Sequence, residues 1–453
     1  MKTRRLAKYR ILIITAFILS GVAICKAQEI DKPNVIILFV DDLGWADLGY
    51  RNPKFDTPNI NKLKEDGMEF TRAYVPTPTC SPSRASILTG KEAIRLEMPR
   101  HITHDQKDGS NSQRYNYWPT DPSNRRSINW LPLKERTYAE YLKEQGYYNL
   151  FIGKWHLGSE FYHPIYQGFD EQYGTSNWGH PNGYYQRFFR SGKVLKDIPE
   201  DEYLSDVLTD KAVDFIRNYE SKKPFQLSFW YYNVHAPHQG RNDLVKKYQS
   251  RGLTDKDAEY AAMVESVDES VGRIRKELEN QGLDKNTVIL FISDQGGFFS
   301  NAPLSGGKIG GNTLGEGGAR IPFIAYYPDV TDAGSICETP IQTIDVFPTL
   351  IDMVSGEQQK KGEINGVSLL PLLKGNNIPE RDLHFFRAYE DQSSAIIRGD
   401  WKLIKYLSGK YQLFNLRQDL GEKTDLIDKE QKIAKRLKKA LSKWETEAVP
   451  KLE

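Results

Sequence analysis

Two places in the chain set polar side chains directly after a short apolar run. Asp41 and Asp42 follow Asn34 to Val40, and Asp294 with Gln295 follows Thr287 to Ser293. Adjacent carboxylates at the end of a buried strand repel each other and are costly to desolvate unless a cation sits between them. Hard oxygen ligands without a histidine or thiolate cluster suit calcium or magnesium rather than zinc. Each pair taken alone reads first as a cap on the following helix or turn; two pairs at two strand ends point to a metal. Other strand ends carry cations and imidazoles. Lys154 and His156 lie in Gly153-Lys154-Trp155-His156-Leu157-Gly158, His235 in Asn233-Val234-His235-Ala236-Pro237-His238, and Lys308 in Gly306-Gly307-Lys308-Ile309-Gly310-Gly311. A lone histidine is more often structural and a lysine in a glycine-rich turn more often solvated. Together they describe a site with a divalent metal, two lysines and two histidines, suited to an anionic tetrahedral ester group. Phosphate and sulfate both meet that description.

The elements that must hold these groups follow from the hydrophobic pattern. Short β-branched apolar runs alternate with amphipathic stretches, which predicts an α/β fold with a large, mostly parallel central sheet flanked by helices. Asn34 to Val40, Tyr148 to Gly153, Gln226 to Tyr232, Thr287 to Ser293 and Ile321 to Tyr327 read as strands. Val264, Val267, Val271, Ile274 and Leu278 form one helical stripe, with Glu265, Asp268 and Glu269 mainly off it, and Ile341 to Val354 reads as a further helix. After about residue 375 the pattern changes to strands within Arg387 to Leu407 and Tyr411 to Leu416 and a basic helix over Lys429 to Glu447, a small antiparallel α+β subdomain spanning 376–453. The lysines of that helix read as a solvated face. In open parallel sheets ligands bind at the carboxyl ends of the strands, where the polar groups above collect.

Length and charge narrow the class. The chain has 453 residues, 39% hydrophobic and 27% charged, as expected of a globular protein with one large or two unequal domains. Met1 to Arg10 is basic, Ile11 to Ile24 is apolar but short for a membrane span, and Ala27 suits signal peptidase, so residues 1–27 read as a signal peptide and 28–375 as the main domain. A lipid-modified Cys25 would tether the chain instead, but Ile24 is bulkier than lipoprotein processing prefers. The leader carries six basic residues and no acidic one, and its removal turns a formal +2 into −4. That balance argues against nucleic-acid binding. Cys80 and Cys337 remain; they could pair, but a chain of this size needs no disulfide framework.

Cys80 lies in Pro76-Thr77-Pro78-Thr79-Cys80-Ser81-Pro82-Ser83-Arg84-Ala85-Ser86-Ile87-Leu88-Thr89-Gly90, a proline-punctuated turn entering a helix. Backbone N–H groups and Arg84 favour negative charge there, so a reactive thiolate is the first expectation. Cys-x-Pro-Ser-Arg, however, resembles the signature of the type I sulfatases, members of the alkaline-phosphatase-like superfamily, in which the cysteine is oxidised to formylglycine. The resemblance extends through Gly153-Lys154-Trp155-His156, Ser293-Asp294-Gln295-Gly296, Gly306-Gly307-Lys308 and Glu316-Gly317-Gly318 to Trp401-Lys402-Leu403 and Tyr411 to Leu416. It implies an alkaline-phosphatase-like α/β sandwich and an enzyme that hydrolyses sulfate esters.

It further implies that Asp41, Asp42, Asp294 and Gln295 hold one calcium ion together with an oxygen of modified Cys80. Gln295 departs from the family, where asparagine or histidine is commoner, and reaches one methylene further. In the roles so implied, the formylglycine hydrate attacks sulfur with help from Asp294 and Arg84, and Lys154 and Lys308 grip the sulfate oxygens. His235, with Lys308, protonates the leaving alcohol, and His156 takes the proton whose loss regenerates the aldehyde. A formylglycine-generating maturase becomes a necessary partner. Substrate choice rests on loops. His101, His104, Arg114, Arg125 and Arg126 of the Arg100 to Pro132 stretch, with His163, Trp178, His180, Tyr184 and Tyr185 of the Tyr162 to Tyr185 stretch, are the candidate subsites for a sulfated carbohydrate, the cations reading neighbouring sulfates or carboxylates. Two rivals stand beside this reading: a phosphate or phosphonate ester hydrolase on the same fold, and a glycan-binding protein whose Cys80 is never modified.

Overall fold

The computed structural model describes residues 32–449 apart from 108, 120, 191–193, 357–362 and 390, so the expected signal peptide and Cys25 lie outside the described residues. Twelve strands matter for the site. Eight form the central sheet: β1 (Asn34–Val40), β2 (Met68–Phe70), β3 (Tyr148–Lys154), β4 (Glu171–Ser176), β5 (Phe225–Trp230), β6 (Thr287–Ser293), β7 (Phe323–Tyr326) and β8 (Ser335–Cys337). Their order across the sheet is β8-β2-β7-β6-β1-β5-β3-β4. β7 runs against its neighbours and the other pairings are parallel. β1 and β6 are buried along their whole length, which is why they read as unbroken apolar runs rather than alternating ones. Two large sets of buried apolar side chains fill the two faces, with Val35, Ile37 and Phe39 of β1 on one and Ile36, Leu38 and Val40 on the other.

Several boundaries differ from the sequence reading, each for a local reason. The run Ile321 to Tyr327 is split: Pro322 has no N–H to give a ladder, so Arg320–Ile321 pairs with Ala73–Tyr74 in a small second sheet and only Phe323–Tyr326 joins the main one. Of Ile341 to Val354, the first two residues form a short strand and the next three a 3₁₀ turn; the helix proper is Val346–Ser355. The long helix Asp255–Asn280 buries its Val264 to Leu278 stripe as expected. Asp268, expected off that stripe, is buried too, and its carboxylate accepts from Asn59 N at 3.2 Å and Ile60 N at 2.7 Å. It thereby supplies the helix Pro58–Asp66 with a cap from another element.

The C-terminal part is a four-stranded antiparallel meander, β9 (Leu383–Phe386), β10 (Gln392–Arg398), β11 (Trp401–Tyr406) and β12 (Tyr411–Asn415), covered by the helix Gln431–Ala448. Leu437, Leu441 and Trp444 seat that helix, while most of its lysines face solvent. This is the mixed α/β fold with an antiparallel C-terminal subdomain that the sequence predicts. Among the described residues no helix is long and apolar enough to cross a membrane.

Candidate active site

The polar groups collect where β1, β3, β5 and β6 end, at the carboxyl edge of the parallel sheet. Asp41 and Asp42 leave β1 in different directions because Asp42 takes a left-handed backbone conformation, φ 63°. Such a conformation costs a residue with a Cβ of order 1 kcal/mol and persists where the surroundings demand it. Asp42 N donates to Asp294 Oδ1 at 3.0 Å, tying the two strand ends together. The Asp41 carboxylate meets Lys154, and the Asp42 carboxylate meets Lys308 and lies 3.7 Å from His235 Nε2.

Cys80 is the first residue of the helix Cys80–Thr89, with Sγ 3.7 Å from Asp41 Oδ1 and 3.2 Å from Gln295 Nε2. Cys80 and Cys337 are both free thiols. Arg84, one turn on, is fully buried: it donates to Asp294 Oδ2 at 2.9 Å and to the Lys154 carbonyl at 2.8 Å, and its guanidinium lies over the rings of Phe39 and Trp230. His156 also has positive φ, 53°, and is buried with no hydrogen-bond partner for Nδ1. Gly179 allows this, since a Cβ there would stand 2.7 Å from His156 Cε1.

Burial and charge set the protonation of these groups. Burial, and then the Asp294 carboxylate, push the Asp41 carboxyl well above its ordinary range. Burial works the same way on Asp42, but Lys308 and His235 overcome it and hold that carboxyl down at about 2. Burial also pushes His235 down to about 4, with Lys308 adding to the effect, and pushes His156 well below its usual value. Lys308 is raised by Asp42 despite its burial. Carboxylate oxygens of Asp41 and Asp294 lie within 4.8 Å of each other and of Cys80 Sγ, and Asp42, Cys80 and His235 make a second such group. A carboxyl held back from ionising by burial and by a neighbouring carboxylate, among further carboxylates and an amide, is part of a donor set that a hard divalent cation fits.

This cluster floors a cavity of about 510 Å³. Of the expected subsite residues, His101, His104 and His180 line it, with Trp178. Arg114, Arg125, Arg126 and Tyr184 do not. Arg114 is exposed and lies over the Tyr115 ring, Arg126 pairs with Glu97 at 2.8 Å, and Arg125 stands over Phe386. Tyr184 is buried and donates to the carbonyls of Tyr232 and His235, which makes it a brace for the His235 loop. The cavity also takes Arg387 and Tyr389 from the C-terminal subdomain, two residues absent from the sequence reading. Arg387 follows β9 directly and Tyr389 lies three residues past it, but the sequence reading placed no strand there, so no signal marked them. Arg387 donates to the Pro78 carbonyl at 2.6 Å, just before Cys80.

A parallel sheet whose strand ends gather carboxylates, lysines and imidazoles around a residue at a helix start defines a hydrolase of anionic tetrahedral esters with the alkaline-phosphatase-like fold. The chain belongs to the sulfatase family: the Sulfatase family model matches residues 33–356, and that of the N-sulphoglucosamine sulphohydrolase C-terminal region matches 313–447. It is similar to the N-acetylgalactosamine-6-sulfatase of Rattus norvegicus, 31% identical over 410 residues that cover 85% of this chain and 74% of that protein. A sulfatase of Formosa agariphila is 28% identical over 512 residues, covering 94% and 90% of the two chains. The solved structure of Ps i-CgsB with k-i-k-neocarrahexaose superposes with a TM-score of 0.79 at 28% identity, over 91% of this chain and 92% of that one. The protein is thus an enzyme, a sulfuric ester hydrolase, and the phosphate and non-catalytic readings give way to it.

Proposed function

We propose that the enzyme removes sulfate from a sulfated carbohydrate, with Cys80 converted to formylglycine and one calcium ion held by Asp41, Asp42, Asp294 and Gln295. One observation carries this reading. Cys80 Sγ sits between Asp41 and Gln295 at the floor of a cavity into which Lys308, His156 and His235 also face. The relatives that name a sugar, an N-acetylgalactosamine sulfatase and a protein solved with a neocarrahexaose, support carbohydrate as the substrate class. When bound, the ion supplies Lewis acidity toward a sulfate oxygen. The formylglycine hydrate supplies the nucleophile, and Arg84, fixed by Asp294 and the Lys154 carbonyl, stabilises its negative charge. Lys154 and Lys308 hold the sulfate oxygens as charge gathers on them. His235 uses Nδ1 on the Ala236 carbonyl at 2.6 Å, so the neutral ring has a bare Nε2, and the proton the leaving alcohol needs comes from the Lys308 ammonium, passed on through that Nε2. His156, which also lines the cavity, takes a proton at the same centre. The basic and apolar leader at residues 1–27 supports export, and a maturase acts before the enzyme is competent.

The test is peptide mass spectrometry of Cys80 in protein co-expressed with a formylglycine-generating maturase, followed by desulfation of defined sulfated oligosaccharides with and without EGTA. The expected result is a thiol replaced by an aldehyde, sulfate release from at least one oligosaccharide, and its loss on chelation. An unmodified thiol in active protein overturns the nucleophile, and undiminished activity in EGTA overturns the ion.

A further inference from the structure

The cavity wall beyond the sulfate end is rich in histidines held by their partners. His104 Nδ1 lies 3.1 Å from the Gly109 carbonyl, and His180 Nδ1 lies 2.7 Å from the Pro181 carbonyl. A carbonyl only accepts, so Nδ1 carries a proton in both rings, and in His104, which burial keeps neutral, Nε2 is left as a bare acceptor. His101 is fixed by Tyr389, whose hydroxyl accepts the His101 backbone N–H at 2.9 Å and also meets His101 Nδ1, so its Nε2 presents whichever polarity that contact leaves it. Burial keeps His101 and His104 neutral, pushing them down to about 3 and about 4. These rings stand close to the reacting centre: those of His101 and His104 are 6.3 and 5.8 Å from His156, and His180 stacks on His235 at 5.8 Å.

The cations of the cavity are committed at its other end. Lys308 is held by Asp42, and Arg387 is held by the Pro78 carbonyl and lies over the Tyr389 ring. The loop arginines that the sequence offered as readers of neighbouring anions do not line the cavity at all. The wall therefore offers the sugar the neutral His104 acceptor, the rings of His101 and His180, and the Trp178 indole, whose N–H has no hydrogen-bond partner. Hydroxyl groups match that set, because each can both donate and accept. A sulfate or carboxylate oxygen only accepts, and against the bare His104 Nε2 it would bring lone pair to lone pair in a partly dehydrated wall.

We infer that the sugar ring carrying the scissile sulfate presents free hydroxyls to His104 and His180, and that the enzyme discriminates against a second sulfate on that side of the ring. This rests on the carbohydrate sulfatase reading and narrows its substrate class to rings that are monosulfated at the site.

The experiment uses the full chain co-expressed with maturase, a panel of hexose and N-acetylhexosamine monosulfates, and 4-nitrophenyl sulfate as a probe of the sulfate pocket alone. The monosulfate with the highest kcat/KM is then compared with its disulfates. The expected result is that kcat/KM for at least one disulfate bearing its second sulfate beside the scissile one falls about tenfold or more, the scale of one unmet polar group. In H180R or H104R the ratio of that disulfate to the monosulfate should rise at least about fivefold, since a guanidinium forms charge-assisted bonds to sulfate. A purely steric exclusion would be worsened by the larger arginine. His180 is exposed, so H180R removes no core packing, and the wild-type ratio stands without either variant. Disulfates cleaved within about threefold of the monosulfate, or a rejection that neither arginine relieves, overturns the inference. Turnover of 4-nitrophenyl sulfate with no turnover of any sugar sulfate overturns instead the carbohydrate reading, and the inference with it. No turnover of either overturns the sulfatase chemistry at this site.

Discussion

The molecule holds two buried clusters of charge, and they serve opposite purposes. At the carboxyl ends of the central strands, Asp41, Asp42 and Asp294 stand among Arg84, Lys154 and Lys308. Some 90 residues further along the chain, Lys402 of β11 is fully buried with Glu316 and Glu422, each 2.9 Å from its Nζ, and Glu316 also takes Tyr74 Oη at 2.9 Å and Arg320 at 3.3 Å. In both clusters the carboxylates and cations are equal in number, so a count of charge does not separate them. Unmet bonding capacity does. In the first cluster Asp41 is pushed toward its neutral form, His156 Nδ1 has no partner, and Cys80 faces a cavity. In the second Lys402 is shared between Glu316 and Glu422, and Arg320 and Tyr74 complete Glu316; Glu422 alone, at the edge, is pushed up by burial and lines a separate cavity of about 330 Å³, and the ionic groups pin the turn Glu316–Ala319, whose Gly318 carbonyl accepts from Gly296 N at 2.9 Å. That contact is so close that a Cβ on Gly296 would stand 1.8 Å from the Gly317 carbonyl. The second cluster thus braces the backbone on which the first, through Gln295, stands.

The sharpest way to break the comparison is to remove the group proposed as the nucleophile of the first cluster. Cys80→Ala should lower kcat/KM by at least about 10⁵-fold, as loss of a nucleophile does elsewhere. Stability should change by only about 1 kcal/mol, since one small buried side chain is truncated. Parallel assays of sulfate release and thermal unfolding check both halves; a large loss of stability would make Cys80 a structural residue like those of the second cluster.

Lys402→Met should do the reverse. Leaving Glu316 and Glu422 buried without their shared cation costs about 3–5 kcal/mol, read from the shift of the denaturant midpoint. Adding Glu422→Gln should recover part of it. Assayed well below the melting temperature, kcat should fall less than about tenfold. A larger fall would mean that the second cluster tunes the site rather than bracing it.

Arg387 belongs to both regions: it sits just past β9 and reaches the segment entering Cys80. Arg387→Ala should lower kcat by about 10- to 100-fold, the range for a lost hydrogen bond from a charged group, with a smaller change in stability than Lys402→Met. Steady-state kinetics on 4-nitrophenyl sulfate separates this from a role in sugar binding, because that substrate carries no sugar. An effect seen only on oligosaccharides would move Arg387 into the substrate wall.

These contrasts mark what a single sequence conveys. The central strands were legible because burial on both faces writes an unbroken apolar run, and the clustering of the polar groups was legible because parallel topology puts strand ends together. The interruption at Pro322 was written in the residue itself and was passed over inside an apolar run. Arg387 and Tyr389 were not legible, since nothing within β9 tells that its end folds back onto the Pro76 to Cys80 segment. Asp268 was misplaced because helical periodicity reports the helix's own stripe and not a carboxylate lent to a neighbouring helix as a cap.

The arginines of the Arg100 to Pro132 stretch are the case where charge was read without its partners, and they give the smallest predicted effect. Their type suits sulfate recognition, but type does not say whether the guanidinium is already engaged. Arg126 is held by Glu97, from before the stretch begins, and Arg114 is spread on the Tyr115 ring at the surface. Exposed pairs of this kind are worth about 0.2–1 kcal/mol. Arg114→Ala should therefore leave KM for any cleaved sugar sulfate within about twofold, whereas His180→Ala, which removes a polar ring from the cavity wall, should raise it several-fold while sparing 4-nitrophenyl sulfate. If Arg114→Ala raised KM as much as His180→Ala did, the substrate would have to extend out of the cavity onto that surface, and position within the cavity would no longer separate the residues that read the sugar from those that do not.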